Sequence, residues 1–359
     1  MRGAGWKCTV RILKNTSFLR VLQQPEGYRV PCTSVGFFER TLELVIRSAH
    51  FAGMSFIMVS QRMLRKAAPA KINLGLHVLR KRSDGYHDIE TVFLRIGWAD
   101  EVSITPPEGR KEADFPAFSG PLQVIPVEDA SPADRVLQVP PGADNLVYRA
   151  ARCLNPDKAA SIELRKRIPV GAGLGGGSSD AATALHLLND WWKLGRSLEE
   201  LIDIAASVGA DAAFFAAGDA AAFGTGRGDM LKPLLQDGTP YVFPYHLVVA
   251  APPVQVSTAG AYALVQPNDR NRPDLCEVLL SGDPERWRAE LTNDFERVIL
   301  PRYPRIAAAK TVLEETGAVY ASLSGSGSAV YGAFEDEARA RKAEDVLRRS
   351  GCRTWRGRA

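Results

Sequence analysis

From residue 68 onward the chain carries patterned hydrophobicity. Ala68-Pro69-Ala70-Lys71-Ile72-Asn73-Leu74-Gly75-Leu76-His77-Val78 alternates between apolar and polar positions. That alternation predicts a half-buried strand with Lys71 and Asn73 on one face. A turn signalled by Asp84-Gly85 follows, and His87–Ile96 and Glu101–Thr105 read as further strands. Residues 106–142 are rich in Pro and acidic side chains, as a surface excursion would be. A helix is expected from Asp144-Asn145-Leu146 to about Leu154, with Asp144 or Asn145 as its N-cap. Ile162–Val170 reads as a strand or its approach, and Ala181–Leu194 as a helix. Ser197–Val208 is a second helix, with Ser197 as N-cap and Glu200 completing a capping box. Further on come a short strand at Asp219–Phe223, a change of domain within Leu231–Pro244 and a strand at Tyr245–Ala251. A broken helical region then runs to Thr316, with Asn293-Asp294-Phe295-Glu296 opening one helix. A strand at Ala318–Leu323 and an amphipathic helix at Glu335–Ser350 complete the series.

One stretch breaks the alternation. Gly171-Ala172-Gly173-Leu174-Gly175-Gly176-Gly177 holds five glycines in seven residues, then runs through Ser178, Ser179 and Asp180 into helix. Glycine loses more backbone entropy on folding than any other residue, so such a run is not core filler. It suits a place where backbone N–H groups crowd around a ligand at a helix N-terminus, and phosphate is the expected guest. The letters match the dinucleotide fingerprint Gly-x-Gly-x-x-Gly, but that motif needs a second parallel strand about 20 residues on. Here a second helix follows instead, and no Lys trails the glycines as a P-loop requires. Gly209-Ala210-Asp211 poses a separate question, because a carboxylate ahead of an apolar run is costly unless paired. Asp211 is either a helix cap or a carboxylate held near a cation.

The stretch P-V-G-A-G-L-G-G-G-S-S-D-A-A, Pro169 to Ala182, resembles the phosphate loop of the GHMP kinase superfamily. P-A-K-I-N-L-G-L-H-V followed by D-G-Y-H-D-I-E-T-V-F is similar to one family within it, the 4-diphosphocytidyl-2-C-methyl-D-erythritol kinases. The likeness covers roughly residues 66–355. It implies a two-domain α+β fold. Residues 66–235 would form a ribosomal-protein-S5-like, ATP-binding domain and residues 236–359 a ferredoxin-like α/β domain, with the active site in the cleft between them. The implied activity is ATP-dependent, Mg²⁺-assisted phosphorylation of the 2-hydroxyl of 4-(cytidine 5′-diphospho)-2-C-methyl-D-erythritol, a step of the non-mevalonate route to isoprenoids. By the same resemblance Lys71 and Asp211 form the catalytic pair. The loop Pro169, Val170, Gly171, Ala172, Gly173, Leu174, Gly175, Gly176, Gly177, with Ser178 or Ser179, holds the phosphates, and Asn145 and Lys166 border the adenine. Tyr86 stacks on the cytosine with Phe223 on its other face, His87 bonds the edge of the base, and Asn73 reaches the acceptor hydroxyls. A second glycine loop, Ser324–Ser328, is expected beside the first. The chain departs from the family at Ala212-Ala213, where Val-Pro usually follows the aspartate. Other readings of the same residues are another GHMP small-molecule kinase of the homoserine or mevalonate type, diphosphomevalonate decarboxylase, or a non-catalytic nucleotide-binding regulator.

Composition adds limits. The 359 residues suffice for two domains, and the formal net charge of +4 is concentrated at one end. Residues 1–65 carry 10 of the 45 Lys/Arg but only 3 of the 41 Asp/Glu, which leaves the remainder slightly acidic. That balance gives no reason to expect nucleic-acid binding. Residues 1–65 read as a leader outside the working fold, either an over-extended start with initiation near Met63 or an Arg-rich targeting segment. No apolar run is long enough to span a bilayer. Five scattered cysteines without a Cys-x-x-Cys suit a reducing cytoplasm and argue against a disulfide framework or a zinc site. No protein metal ligands are expected, and the partners are the two small molecules, with the chain a monomer or homodimer.

Overall fold

The computed structural model describes residues 63–106, 122–125 and 144–359, plus two short paired strands, β1 (Phe18–Arg20) and β2 (Arg29–Pro31). Residues 1–61 and 62–359 are separate compact units. Most of the expected leader, and nearly all of the expected excursion, lie outside the described residues.

In the larger unit, β3 (Leu64–Lys81) and β4 (His87–Thr105) pair antiparallel along almost their whole length. The break expected between Ile96 and Glu101 does not occur. A bulge opposite Pro69/Ala70 absorbs the irregular Gly97-Trp98-Ala99 stretch, so one strand continues through it. The second edge of β4 takes two partners. β6 (Ser161–Arg165) pairs with Glu101–Thr105 and β7 (Ala221–Thr225) with Thr91–Leu94. β5 (Leu122–Ile125) extends β6 and β8 (Met230–Pro233) extends β7, closing a six-stranded sheet. Against it pack α1 (Leu146–Leu154), α2 (Gly176–Trp192), α3 (Leu198–Val208) and α4 (Ala210–Ala217), around Val102, Ile104, Ile162, Leu185, Leu188 and Phe214. The capping box on Ser197 and Glu200 is formed as the sequence predicts.

A small hairpin, β9 (Leu235–Gln236) with β10 (Thr239–Pro240), leads to the second sheet. Its strands are β11 (His246–Ala251), β12 (Tyr320–Leu323), β13 (Val330–Phe334) and β14 (Arg353–Gly357), in the order β12-β13-β11-β14 and all antiparallel. Between β11 and β12 lie α5 (Thr258–Leu264), α6 (Leu275–Leu280), α7 (Pro284–Glu290), α8 (Glu296–Ile299) and α9 (Pro304–Glu315), and α10 (Glu337–Arg349) precedes β14. Leu247, Val249 and Tyr331 share a core with Ile72, Leu74, Leu94 and Ile96 of the first sheet. On the other side Val248, Val330, Ile306, Leu313 and Leu347 enclose a further core.

The expected half-buried strand is therefore buried on both faces. Ala70, Ile72 and Leu74 enter the core shared by the two sheets, while Lys71 and Asn73 lie at 3% and 1% exposure on the opposite face. The alternation is real, but its polar face is the floor of a site, and helices and loops cover it. The free edge of β3 is covered too: Lys71 N–H donates to Leu174 O at 3.0 Å, and Leu76 exchanges backbone bonds with Thr292 and Asp294.

His77, also on β3, is fully buried and neither ring nitrogen has a hydrogen-bond partner. Burial, and then the nearby Arg272 charge, lower its pKa to about 4, against the pull of Asp294. The unfolded chain therefore takes up this proton first as pH falls. The stability contributed by the neutral ring is complete above its ordinary value and is lost between about pH 6.5 and 4. In urea titrations the parent should lose about 3 kcal/mol over that window relative to His77→Leu. Parallel pH–stability curves would contradict the buried neutral histidine.

Candidate active site

The glycine loop reverses its backbone repeatedly. Gly171, Gly173 and Gly175 have φ of +69°, +78° and +69°, a region that side-chain-bearing residues rarely enter. Gly175 is the N-cap of α2, with no side-chain cap bond and no acidic residue in the first turn. The N–H groups there are left for an anion, reinforced by the dipole of a 17-residue helix. The second glycine loop packs on the first, as the resemblance implies. A Cβ on Gly173 would stand 2.1 Å from Ser324 O, so only glycine permits this approach. Ser324 Oγ donates to Gly173 O at 2.9 Å, and Ala329 N–H donates to Ala172 O at 2.9 Å.

Beside this loop lies Lys71. Its ammonium donates to Asn73 Oδ1 at 2.7 Å and Gly173 O at 3.0 Å, and stands 3.4 Å from Asp211 Oδ2. The Phe93 ring adds a cation–π contact at 5.5 Å. Two hydrogen bonds and one ion pair thus surround the ammonium, which is how a buried ammonium avoids a heavy desolvation loss. Asp211 occupies the first turn of α4, whose N-cap is Gly209, so the aspartate is not the cap. Its side chain keeps about one third of its surface exposed, turned to the cleft. Ala212 and Ala213 are fully buried and α4 runs through them unbroken, so loss of the family's proline leaves a regular helix.

Lys71 and Asp211 sit in an open cleft of about 780 Å³ that Asn73, Tyr86, His87, Gly173 and Ser178 also line. Of the two serines, Ser178 faces the cleft and Ser179 is fully buried with an unpartnered hydroxyl. Tyr86 is 58% exposed at the mouth, under the Arg227 guanidinium at 5.3 Å from the ring, which Asp229 holds at 2.6 Å. His87 stacks on Tyr262 at 4.9 Å, with the rings 21° from parallel, and burial holds its pKa below the ordinary value. Burial, and then the charge of Asp211, raise the Tyr262 hydroxyl well above its ordinary range. Tyr262, Arg227 and Thr258 also line the cleft with no role expected from the sequence, as does Ser326 of the second glycine loop. Nothing local in the sequence marks Tyr262.

Asn145, Lys166 and Phe223 do not line the cleft. Asn145 is buried and caps α1 by accepting from Val147 N–H at 2.9 Å. Phe223 packs, half-buried, against the core shared by the sheets. Lys166 is buried between Asp180, at 2.6 Å, and Asp100, which also accepts from the backbone N–H groups of Arg167 and Ile168. Burial pushes the Asp180 carboxyl up to about 7 against the attraction of Lys166, and the like charge of Asp100 adds to the rise. The triad fastens both ends of the loop to β4: its entry through residues 166–168 and its exit through the first residues of α2.

The family model described as GHMP kinases N terminal domain matches residues 145–227, and that described as GHMP kinases C terminal matches residues 273–352. A 4-diphosphocytidyl-2-C-methyl-D-erythritol kinase of Salinibacter ruber is 46% identical over 295 residues, spanning 81% of this chain and 97% of that protein. The chain belongs to the 4-diphosphocytidyl-2-C-methyl-D-erythritol kinase family of GHMP kinases. A second member of the family, from Chlorobium luteolum, is 40% identical and matches over 93% of its length. The crystal structure of a 4-(cytidine 5′-diphospho)-2C-methyl-D-erythritol kinase superposes with a TM-score of 0.62 at 32% identity, covering 82% of this chain and 98% of that one. This GHMP kinase thus has the family's two-domain α+β fold and uses ATP to phosphorylate a small molecule. Among the described residues no helix is long and apolar enough to cross a membrane.

Lys166 provides a test of the loop's anchorage. Lys166→Met leaves two buried carboxylates facing each other and should cost about 3–5 kcal/mol in chemical denaturation. An unchanged stability with a raised KM for ATP would instead make Lys166 a nucleotide contact.

Proposed function

We propose that this GHMP kinase transfers the γ-phosphoryl group of ATP to the 2-hydroxyl of 4-(cytidine 5′-diphospho)-2-C-methyl-D-erythritol. The observation that carries the reading is the Lys71 ammonium 3.4 Å from the Asp211 carboxylate at the rim of an amide-lined loop. The names of relatives at 40–46% identity supply the acceptor. Phosphoryl transfer depends mainly on positioning and charge stabilisation. The uncapped start of α2 and the loop amides would hold the β- and γ-phosphates, with the Ser178 hydroxyl beside them. Those donors fit a nucleotide tail, and Mg²⁺ needs few protein ligands because it keeps several waters. When bound, Mg²⁺ neutralises charge on the phosphates. Asp211 accepts the hydroxyl proton as the new O–P bond forms and the bond to the ADP oxygen breaks. Lys71, 3.4 Å from that carboxylate, faces the developing alkoxide and stabilises its charge.

Tyr86 and the His87–Tyr262 stack would hold the cytosine, with aromatic faces supplying affinity and the polar edge of His87 supplying discrimination. In this reading Tyr262, which lines the cleft, does the stacking that the resemblance gives to Phe223. We further propose that the two functional halves divide near residue 235, one carrying the first glycine loop and the other the second. The enzyme is proposed to act in the cytoplasm as a monomer or homodimer.

Asp211→Asn should lower kcat by about 10²–10⁴-fold while the KM for ATP stays within a few-fold, in an assay of acceptor-dependent ADP release. A mutant as active as the parent removes Asp211 as base. Tyr86→Ala should raise the KM for the cytidine acceptor about tenfold and leave that for ATP unchanged. Faster turnover of homoserine or mevalonate than of the cytidine compound would refute the assigned acceptor.

A further inference from the structure

Asn73 was expected to reach substrate hydroxyls, yet both ends of its amide are engaged within the protein. Oδ1 accepts from Lys71 Nζ at 2.7 Å and Nδ2 donates to Thr91 Oγ1 at 2.9 Å. Thr91 lies on β4, is fully buried, and its hydroxyl donates to Gly75 O at 2.6 Å. Counting protons fixes the direction of every bond in this chain. A carbonyl oxygen only accepts, so the single hydroxyl proton of Thr91 is committed to Gly75. The lone pairs left on Oγ1 can only accept, and the amide must therefore present its NH₂ to Thr91 and its oxygen to Lys71. An ammonium has no acceptor capacity. A flipped amide would set N–H against N–H at Lys71 and oxygen against oxygen at Thr91, in a site where neither end reaches water.

The bulge in β3 supplies the start of the chain. Gly75, at φ +76°, lies where the register slips between Leu74 and Leu76, so Leu76, and not Gly75, faces Thr91 across the ladder. An unpaired residue at a bulge has a carbonyl free of the ladder, and here that carbonyl takes the threonine proton. Tyr331 OH donates to Asn73 O at 2.7 Å, holding the backbone of Asn73 from the second sheet.

From this geometry we infer that Thr91 is a positioning residue for phosphoryl transfer, acting through Asn73 to aim the Lys71 ammonium at Asp211 and the acceptor oxygen. The inference rests on the reaction proposed above. Thr91 touches no substrate, so its effect is on kcat and not on binding.

The test uses the full chain. Thr91→Val keeps the shape and removes the hydroxyl that fixes the Asn73 amide. It should lower kcat about tenfold with both KM values within about twofold, whereas Thr91→Ser should restore at least half of the parent kcat. In an Asn73→Ala background Thr91→Val should change kcat less than twofold, because the residue it acts through is gone. Parent-like kcat in Thr91→Val, an equal loss in Thr91→Ser, or a full tenfold loss without Asn73 would each overturn the inference. Should Thr91→Val fold poorly, Thr91→Cys replaces it with the same loss expected, since a thiol accepts hydrogen bonds only weakly. A parent enzyme inactive on the cytidine acceptor would refute the proposed reaction instead. Non-additive melting temperatures of the Asn73 and Thr91 variants would still report the bond, and additive ones would refute it.

Discussion

A buried ammonium constrains the whole site. Lys71 is almost wholly removed from water, and a charge so placed persists only where its N–H bonds meet acceptors. Those acceptors come from three places in the chain: the same strand through Asn73, the glycine loop through Gly173 O, and helix α4 through Asp211. Satisfying one side chain therefore draws strand, loop and helix into a single geometry. The same contacts that stabilise Lys71 set the distance between amine and acid.

The loop that meets this ammonium is held from several directions. The Asp100–Lys166–Asp180 triad secures its two ends beneath the sheet, and Ser324 and Ala329 secure its middle from the second glycine loop. In the proposed reaction this rigidity matters, because amides that already point at the phosphates need no reorganisation at the moment of transfer. Asp100 is satisfied by Lys166 and by the N–H groups of Arg167 and Ile168, while Asp180 engages Lys166 through Oδ2 and leaves Oδ1 buried without a partner.

Much of this was legible beforehand. The run of five glycines before a helix points to an anion site, the costly Asp211 to a carboxylate near a cation, and the resemblance to Lys71 as its partner; the structure brings these two to 3.4 Å. Ser197 and Glu200 marked a helix start through purely local bonds. Tyr262 left no trace, since an aromatic residue in a short helix looks like core until its partner is known. The resemblance sets Lys166 and Asn145 beside the adenine; Asn145 caps α1, as its place before Leu146 predicts, whereas the contact of Lys166 with Asp100 on β4 leaves no local signal.

What the chain determined by itself is whatever rests on residue type and short spacing: glycine conformational freedom, capping, strand periodicity and the presence of an acid and an amine. Tertiary structure alone decided whether Lys71 meets Asp211, which serine faces the cleft, and which way the Asn73 amide points. Those outcomes depend on a bulge at Gly75 and on contacts more than a hundred residues apart, such as Lys71 with Gly173. A one-residue slip of β3 would turn both Lys71 and Asn73 to the opposite face, and only packing on both sides of the sheet forbids it.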